Sequence, residues 1–473
     1  MKLSLAALAG LPAAQRPRHD PRDARVGIVH LGIGNFHRAH QAVYADDALA
    51  AGERGWAICG INLRSRGIVD RLNAQDGLYT LLVRGAADGA NEADGAAKGG
   101  DLGTQARIVG SLREAIAYPD DPARAAARLA DPAVRIVSLT ITEKGYADGE
   151  GGAIALLLDG LAARMAAGAG GLTLLSCDNL SMNGDTLRRV LREAVARRGD
   201  AALAGFVDQR IECPNTMVDR IVPATGEAEL REARALTRLD DACPVATEPF
   251  SQWVIEDRFA AGRPDWARDG VQFVRDVAPF EAMKLRLLNA AHSAMACLGV
   301  PAGLDTVDQA IADPVLRAFV ERMWREDLIP TLPAEVRDAA PGYCAALLGR
   351  FANPALGHRL RQIAIDSSQK IPMRWLPSAR ERLAAGEVPD ALAAAIAGWV
   401  RFLGGRGEHG EGWEVDDPHA QALAQRLARA DAVDAVLGFE PVFGDLAGNA
   451  RLAGRVRHWH RRLLAEGTRG ALR

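Results

Sequence analysis

The chain has 473 residues, which exceeds the size at which a single hydrophobic core keeps growing, so two domains are expected. Its 57 Lys and Arg residues nearly balance 60 Asp and Glu residues, and the net charge of −3 provides no field for a nucleic acid or an anionic membrane surface. No apolar run approaches the roughly 20 residues that span a bilayer, so we expect a small molecule as the partner and a local site as the source of function.

Six cysteines lie in mostly apolar surroundings, without a C-x-x-C pair or a Cys/His cluster of zinc spacing: Cys59, Cys177, Cys213, Cys243, Cys297 and Cys344. This pattern is typical of reduced, packed thiols in a cytoplasmic protein, and it predicts no metal site. The sequence is compatible with a monomer.

The first predicted element is a strand, from Arg25 to Leu31, that leads into Gly32-Ile33-Gly34-Asn35-Phe36 and a helical pattern. Strand, glycine turn and helix open a nucleotide-binding βαβ unit, in which backbone amides at the helix start approach a pyrophosphate. We therefore predict that these five turn residues bind a dinucleotide. The third glycine of the usual fingerprint is missing, because its position holds His37, and a purely structural tight turn is the alternative.

Further strands are predicted where short apolar runs alternate with helical stretches, which favours an α/β fold with a largely parallel Rossmann-type sheet: residues 56–62, 78–83, 134–140 and 172–176. The glycine- and alanine-rich stretch 85–103 is predicted to be a surface excursion. After residue 280, Ala- and Leu-rich helical periodicity dominates. The predicted domains are a Rossmann-type dinucleotide-binding domain, 1–280, and a mainly helical substrate and catalytic domain, 281–473.

The end of the second predicted strand carries no acid that could bind the ribose hydroxyls of a dinucleotide. It reads Gly60-Ile-Asn-Leu-Arg-Ser-Arg66, in which Arg64 and Arg66 could meet a 2′-phosphate or simply lie on the surface. NAD is the predicted cofactor, and this segment leaves NADP open.

Two polar residues of the first domain are candidates for binding substrate. Asn179 follows the predicted strand 172–176 at its carboxyl edge, where open α/β sheets keep their ligands. It is a candidate donor to a substrate oxygen, and a turn built from Asp, Asn and Gly is the alternative. Asp219 is the second candidate, with the alternative that it pairs with the adjacent Arg220 on a surface.

The stretch from Met283 to His292 puts an amine, an amide and an imidazole on one apolar helix. At about 100° per residue, Asn289 lies about 140° and His292 about 80° around the helix from Lys284, so the three side chains can face one cavity. Burial among leucines would lower the pKa of Lys284 towards the working range of a general base. A solvated helix lysine is the alternative.

Six spaced motifs, in order along nearly the whole chain, resemble the mannitol dehydrogenase family of long-chain polyol-specific dehydrogenases. They are Gly32-x-Gly34-x-Phe36-His-Arg-Ala-His40, Ile141-Thr-Glu-Lys-Gly-Tyr146, Cys177-Asp-Asn-Leu180 with Asn183-Gly184, Pro214-Asn-Thr-Met-Val-Asp-Arg220, Glu248-Pro-Phe-x-Gln-Trp253 and Lys284-x4-Asn289-x2-His292.

The resemblance implies a zinc-independent, nicotinamide-dependent secondary-alcohol dehydrogenase with a Rossmann-type N-terminal domain and a mainly helical C-terminal domain. By the motif match, Lys284 is expected to be the general base, while Asn179 and Asn289 hold the reacting oxygen. A neutral lysine with two amide donors would lower the barrier without a metal. The other matched residues are expected to complete the catalytic set and line the substrate pocket (His292), to line that pocket (Asp219), or to contact the cofactor (Glu143 and Lys144).

The stretch 350–372 lies where mannitol-specific members of the family place a substrate-binding arginine and lysine. Lys370 matches the lysine, whereas the arginine position holds Gln362. This stretch, with Arg374-Trp375-Leu376 after it, resembles the fructuronate reductase (D-mannonate oxidoreductase) branch more closely, except that Ser367 replaces a usual glycine. A uronate carboxylate requires a cation, which Lys370 or Arg359 could supply. The alternative is that these basic residues cap or solvate a helix.

The leading prediction is NAD-dependent reduction of D-fructuronate to D-mannonate, with Lys284 as the acid in that direction. A mannitol 2-dehydrogenase or a D-arabinitol dehydrogenase is the alternative within the family. A non-catalytic sugar- or nucleotide-binding protein is disfavoured, because drift after lost catalysis should not spare Lys284, Asn289, Asn179 and His292 together.

Overall fold

In the computed structural model, residues 1–87, 102–147 and 152–473 are described. They divide into two units, Met1–Ala278 and Pro279–Arg473. The described strands all lie in the first unit: β1 Val26–Leu31, β2 Ala57–Asn62, β3 Tyr79–Ala87, β4 Leu102–Val109, β5 Leu112–Ala117, β6 Ile136–Leu139, β7 Leu172–Ser176, β8 Ile211–Glu212, β9 Thr216–Asp219, β10 Val245–Thr247, β11 Gln252–Glu256 and β12 Gln272–Val274.

A six-stranded sheet organises the first unit, with the strand order β5-β2-β1-β6-β7-β8 and every neighbouring pair parallel. This is the order of two βαβ halves that meet at β1 and β6, as in dinucleotide-binding folds. The predicted Rossmann-type parallel sheet is therefore confirmed. The strand order also places the ligand crevice of such a fold at the carboxyl ends of the central strands.

Side chains of the six strands alternate between two buried layers, which is why the strands read as short continuous apolar runs. Ile28, Ile58 and Ile136 belong to the hydrophobic cluster on one face of the sheet. Val29 and Val137 belong to the cluster on the other face. Helices cover the unit: Asn35–Ala39, Gln41–Ala50, Gly67–Asn73, Pro122–Ala130, Thr142–Ala147, Ala153–Ala166, Asn183–Arg198, Ala201–Arg210 and Glu227–Thr237, with 3-10 turns at Leu5–Gly10, Ala13–Gln15, Pro21–Asp23 and Trp266–Asp269.

One predicted strand does not belong to the parallel sheet. The run 78–83 forms part of β3, which lies in a separate three-stranded sheet of order β10-β3-β4 and pairs antiparallel with β4. An apolar run specifies a strand but not its partner, which only tertiary contacts decide. The predicted surface excursion 85–103 is also wrong at its ends, because β3 continues to Ala87 and β4 begins at Leu102. Its middle lies outside the described residues.

The second unit is helical, as predicted for the end of the chain. Its helix Asp390–Phe402 is buried along almost its whole length and forms the centre of one extended core. The other helices are Ala278–Met283, which begins at the last residue of the first unit, Ala290–Gly299, Val307–Ala312, Pro314–Met323, Ala334–Arg337, Ala340–Phe351, Leu360–Ala364, Ser367–Arg374, Leu376–Ala384, Ala420–Leu427, Ala432–Leu437, Glu440–Phe443 and Ala450–Leu472. Short 3-10 turns lie at Ile329–Thr331, Pro354–Leu356 and Gly444–Leu446.

Two segments of the second unit, Lys284–Asn289 and Trp324–Leu328, are π-helical turns. In the first of them the amide of Ala290 donates to the carbonyl of Leu285, five residues back. The wider turn changes the angle between successive side chains. The angles of 140° and 80° that we predicted from α-helical geometry are therefore wrong, although Lys284, Asn289 and His292 still lie on one continuous helical segment.

All six cysteines are buried and free, as their apolar surroundings predicted. None of the helices in the described ranges is long and apolar enough to cross a membrane.

Candidate active-site residues

The glycine turn after β1 combines a tightly packed glycine with an open one. Gly32 has a φ of 99°, and a Cβ there would stand 2.2 Å from the carbonyl oxygen of Thr140. Gly34 precedes the helix Asn35–Ala39, and no atom outside its immediate chain neighbours lies within 4 Å of the position that a Cβ would occupy. This open space beside the backbone, at the carboxyl end of a central strand, fits the pyrophosphate of a dinucleotide.

The other predicted cofactor residues of this turn differ in what their side chains do. The side chain of Ile33 is buried against Gly60, so only its backbone faces the turn. The amide of Asn35 donates to Thr225 Oγ1 over 3.0 Å and accepts from Arg38 Nη2 over 2.6 Å. Phe36 is half-buried and stacks on the ring of His40, with the ring centroids 5.1 Å apart. These contacts fix the turn rather than leaving side chains for a ligand.

Two histidines, for which the motifs predicted no role, support the turn. His30 on β1 contacts Gly32 O over 3.0 Å and Thr140 Oγ1 over 2.9 Å, and its other nitrogen contacts Ser138 Oγ over 2.8 Å. The ring of His37, at the missing third glycine position, stacks on His30 with the centroids 3.4 Å apart. Burial lowers the pKa of His30 to about 3 and that of His37 well below its ordinary value, so both rings are neutral at neutral pH.

The carboxylate of Asp178 joins the end of β7 to the segment that follows β6. It accepts from the amide of Thr142 over 2.8 Å and from the hydroxyl of Tyr146 over 2.8 Å. Thr142 has a φ of 64°, which a β-branched residue rarely adopts without support. Glu143 and Lys144 follow in the helix Thr142–Ala147, and their side chains lie outside the described part of the structure. Their predicted cofactor contacts remain a prediction.

The end of β2 has an amide and two arginines where an acid is usual. Asn62 Nδ2 donates to Ser65 O over 2.6 Å. Arg66 is held by ion pairs with Asp70 at 3.0 Å and Asp120 at 3.5 Å, while Arg64 is exposed. Both ion pairs of Arg66 lie on the surface, where its side chain is 68% exposed, so both arginines are open to a phosphate.

Asn179 and Asp219 lie at the ends of two strands that one asparagine connects. Asn179 is exposed in the turn after β7, and Asp219 is the buried last residue of β9. Asn183 Nδ2 donates to Asp178 O over 3.1 Å and to Thr216 O over 3.0 Å. The surface alternative for Asp219 is wrong, since it is only 4% exposed. Its neighbour Arg220 donates to the carbonyl oxygens of Ala39 and Glu248.

Lys284, Asn289 and His292 are all buried in the second unit, with 8%, 6% and 6% of their surfaces exposed. The alternative of a solvated helix lysine at Lys284 is thereby excluded. Asn289 Nδ2 and His292 Nε2 are buried and have no hydrogen-bond partner among the described residues. Burial, and then the charges of His358 and Arg374, lower the pKa of His292 well below its ordinary value. The helix therefore presents a neutral imidazole and an amide donor with open hydrogen-bonding capacity.

The backbone of this helical segment receives hydrogen bonds from side chains of distant helices. Trp324 Nε1 donates to Leu287 O over 2.9 Å, Arg374 Nη1 donates to Asn289 O over 3.3 Å, and Trp375 Nε1 donates to Ala290 O over 3.1 Å. A π-helical turn departs from the regular i→i+4 ladder, so carbonyls in and after it can accept other donors. The sequence predicted no contact with this segment for any of the three residues, because such contacts depend on which helices pack together.

Of the three residues of the stretch 350–372 that were predicted to bind substrate, Lys370 alone is not exposed. Its ammonium donates to Ile363 O over 3.1 Å and to Ile365 O over 2.5 Å, at the end of the helix Leu360–Ala364. Burial, and then the neighbouring Arg374, lower the pKa of Lys370. Arg359 and Gln362 are exposed. Lys370 thus caps a helix, which is the alternative that the sequence had left open.

Ser367 is part of a clamp of hydrogen bonds around Asp417. The carboxylate of Asp417 accepts from Ser367 Oγ over 3.0 Å and from the amide and hydroxyl of Ser368 over 2.7 and 2.5 Å. Ser367 Oγ in turn accepts from Trp399 Nε1 over 2.9 Å. Asp366, just before it, takes the positive φ of 53°. These bonds fix the start of the helix that carries Lys370 and Arg374.

Comparison with known proteins gives matches along nearly the whole chain. Residues 26–268 match the family model of the mannitol dehydrogenase Rossmann domain, and residues 276–464 match that of the mannitol dehydrogenase C-terminal domain. The chain is 37% identical to the D-mannonate oxidoreductase of Escherichia coli (strain K12), with 97% of each protein covered. It is 39% identical to the mannitol 2-dehydrogenase of Cereibacter sphaeroides, with 93% of this chain and 94% of that protein covered.

A solved structure is similar along its full length as well. The ternary complex of Pseudomonas fluorescens mannitol 2-dehydrogenase with NAD and D-mannitol gives a TM-score of 0.86 at 33% identity. The match covers 100% of this chain and 99% of that one.

Proposed function

Because this chain belongs to the mannitol dehydrogenase family of oxidoreductases, we propose that it is an NAD(H)-dependent enzyme that interconverts a secondary alcohol and a ketone of a sugar acid. The proposed reaction is the reduction of D-fructuronate to D-mannonate. A relative of 37% identity bears the name D-mannonate oxidoreductase, and the branch-like motifs near residue 370 support the same substrate class.

The observation that carries the proposal is the set of buried polar groups around the π-helical turn. Lys284, Asn289 and His292 are withdrawn from water, and the two nitrogens Asn289 Nδ2 and His292 Nε2 have no partner in the described part of the chain. A buried donor or acceptor without a hydrogen bond costs about 1–3 kcal/mol of free energy. A ligand with oxygen atoms that accept these bonds would recover this cost.

In the proposed mechanism, Lys284 handles the proton and the amides hold the oxygen. In the oxidation direction Lys284 removes the hydroxyl proton, and in the reduction direction it returns that proton. Asn289, with Asn179 as the second proposed donor, stabilises the negative charge that develops on the oxygen. Neutral His292 donates to or accepts from a neighbouring hydroxyl. A nicotinamide cofactor, held by its pyrophosphate at Gly32 and Gly34, would supply the acceptor or donor of the hydride.

NAD is the proposed cofactor rather than NADP. The solved relative of 33% identity is a complex with NAD. The segment after β2 holds two exposed arginines, Arg64 and Arg66, so the choice of NAD rests on that relative.

A neutral polyol or ketose is the second candidate substrate class. The mannitol 2-dehydrogenase of Cereibacter sphaeroides is 39% identical to this chain. Lys370 matches a lysine of mannitol-specific members by its motif. Gln362 at the arginine position argues against this candidate.

A substrate panel tests the proposal. Purified protein with NADH is expected to reduce D-fructuronate faster than D-tagaturonate and much faster than D-fructose, with NADH oxidation followed by absorbance. Oxidation of NADH with fructose alone would refute the sugar-acid proposal and favour a mannitol or arabinitol dehydrogenase. Binding of NADH without turnover of any of these compounds would favour a non-catalytic protein.

Replacement of Lys284 tests the role of the base. Lys284→Ala is expected to lower kcat by about 10²- to 10⁴-fold, the range of general acid–base catalysis, with NADH affinity unchanged in a fluorescence titration. Lys2→Ala, at an exposed lysine of the first unit, is the control. Turnover of Lys284→Ala at the wild-type rate would exclude Lys284 as the base.

A further inference from the structure

Arg374 is a half-buried cation whose hydrogen-bond partners in the structure are all uncharged. Its Nη1 donates to Asn289 O over 3.3 Å and to Ser293 Oγ over 2.8 Å. No carboxylate of the described residues lies within ion-pair distance of the guanidinium. Withdrawal from water lowers the pKa of Arg374 to about 10, so the side chain stays charged at neutral pH. Placing a charge away from water without a counter-charge is costly.

The other basic residues of this region are satisfied or solvated. Lys370 donates to two backbone carbonyls at a helix end and lies near the acids Asp366 and Asp417. Arg359 is exposed to water. Among these three cations, Arg374 alone combines partial burial with the lack of an acid. The sequence-based choice of Lys370 or Arg359 as the carboxylate receptor is therefore less well supported than Arg374.

The guanidinium of Arg374 also has hydrogen-bond donors that no described residue uses. Nη1 is fixed by the two bonds to the helical segment of Asn289, whereas Nε and Nη2 have no hydrogen-bond partner among the described residues and are not fully enclosed. Two such donors in one plane match the two oxygens of a carboxylate. One of the two bonds of Nη1 goes to the backbone carbonyl of Asn289. The side-chain nitrogen of the same residue is the open donor of the proposed reaction centre.

We propose that Arg374 receives the carboxylate of the sugar-acid substrate and is the residue that selects sugar acids over neutral polyols. This inference rests on the proposed function, since it assigns a specificity-determining residue to the same site. The substrate carboxylate would supply the counter-charge that the protein does not provide at Arg374. A neutral polyol would leave the cation uncompensated.

Kinetics on a charged and a neutral ketose test the assignment. Arg374→Gln is expected to lower kcat/KM for D-fructuronate by about 100-fold more than kcat/KM for D-fructose, since about 100-fold is the worth of a charge-assisted pair of hydrogen bonds. Loss of the bonds to Asn289 O and Ser293 Oγ would act on both substrates alike. Arg374→Lys keeps the charge but loses the planar fork, so an intermediate loss for fructuronate is expected. Arg380→Gln, on the next helix, where Arg380 is exposed and paired with Asp445, is the matched control.

Equal losses on both substrates would overturn the proposal, because they would show that Arg374 only supports the backbone of Asn289. A selective loss in Arg359→Gln but not in Arg374→Gln would overturn it as well. Calorimetric titration of the full-length protein with D-mannonate in the presence of NADH gives a readout without turnover. Wild-type binding that Arg374→Gln reduces about 100-fold supports the proposal, and binding that is absent or equal in both proteins contradicts it.

The two proposals fail in different ways. If no compound is reduced but mannonate binding depends on Arg374, the proposed function is wrong and the carboxylate site stands. If fructuronate is reduced at the same rate by wild type and Arg374→Gln, the proposed function stands and the role of Arg374 is wrong.

Discussion

At the scale of single residues, the stacked pair of His30 and His37 makes the glycine turn sensitive to acid. The folded protein holds the pKa of His30 at about 3, below the ordinary value of about 6.5 that applies in the unfolded chain. The unfolded chain therefore binds the proton more readily. The stability contribution of His30 is present above about pH 6.5 and is lost as the pH falls towards 3.

We expect the free energy of unfolding to fall by about 1.4 kcal/mol between pH 7.5 and 5.5 through His30 alone. Urea unfolding at both pH values should show that His30→Gln reduces this difference by that amount, since glutamine does not titrate. His409→Gln, at an exposed histidine, is the control. An unchanged pH dependence in His30→Gln would contradict the expectation.

The motifs identified most of the candidate residues but not what surrounds them. Lys284, Asn289 and His292 were predicted from their spacing and are buried together in one helical segment. The sequence identified Arg374 only as part of the motif Arg374-Trp375-Leu376. Its lack of an acidic partner could not be predicted, because that depends on how the helices pack. The same limit applies to Lys370, whose contact with two carbonyls at a helix end no sequence pattern specifies.

At the scale of elements, the π-helical turn Lys284–Asn289 separates the proposed base from the proposed oxygen-binding amide. Trp324 supports this turn by donating its indole N–H to Leu287 O. Without that bond, we expect the turn to relax towards α-helical spacing and to displace Lys284 from Asn289.

Trp324→Phe keeps the ring and removes the donor, so the expected result is a loss of about 1 kcal/mol of stability together with a fall in kcat of about tenfold. Trp459→Phe removes a comparable indole bond, the one to Asp390 Oδ1, and should affect stability alone. Steady-state kinetics over a range of pH with both variants separate the two effects. Equal kcat values for the two variants would show that the turn does not need this support.

Sequence patterns predicted which segments are helical or extended better than how they pair. The strand 172–176 was predicted with the bounds that the structure gives β7. The strand 78–83 was placed in the wrong sheet, and the π-helical turn was predicted as α-helix. In each case the local apolar pattern is compatible with both outcomes, and contacts far along the chain decide between them.

At the scale of the whole molecule, the sequence correctly predicted the family, the Rossmann-type sheet of the first unit and the mainly helical structure of the second. Matches to both parts of the mannitol dehydrogenase family confirm the resemblance that six motifs had indicated. Each unit has hydrophobic clusters of its own. The proposed cofactor turn lies in the first unit, and Lys284 lies in the second.

This division predicts which variants respond to the cofactor. NADH at about 100 times its Kd should stabilise the wild type by about 2.7 kcal/mol and raise the Tm by a few degrees in a thermal-shift assay. Lys284→Ala should keep this increase, whereas Gly34→Val should lose it by filling the open space beside the turn.

Gly10→Val, at another glycine with open space around it, is the control for the added side chain. A full NADH-induced increase in Gly34→Val would exclude the glycine turn as the cofactor site.

The clamp around Asp417 has a consequence for how substrate range can change in evolution. Ser367 and Ser368 each donate to this one carboxylate, which lies about fifty positions further along the chain. Glycine at position 367 would leave Asp417 with one hydroxyl donor fewer and Trp399 without its acceptor. Substitutions at positions 367, 399 and 417 are therefore expected to have non-additive effects. Exchange of the segment with that of a relative should retain function only when residues 399 and 417 are exchanged with it.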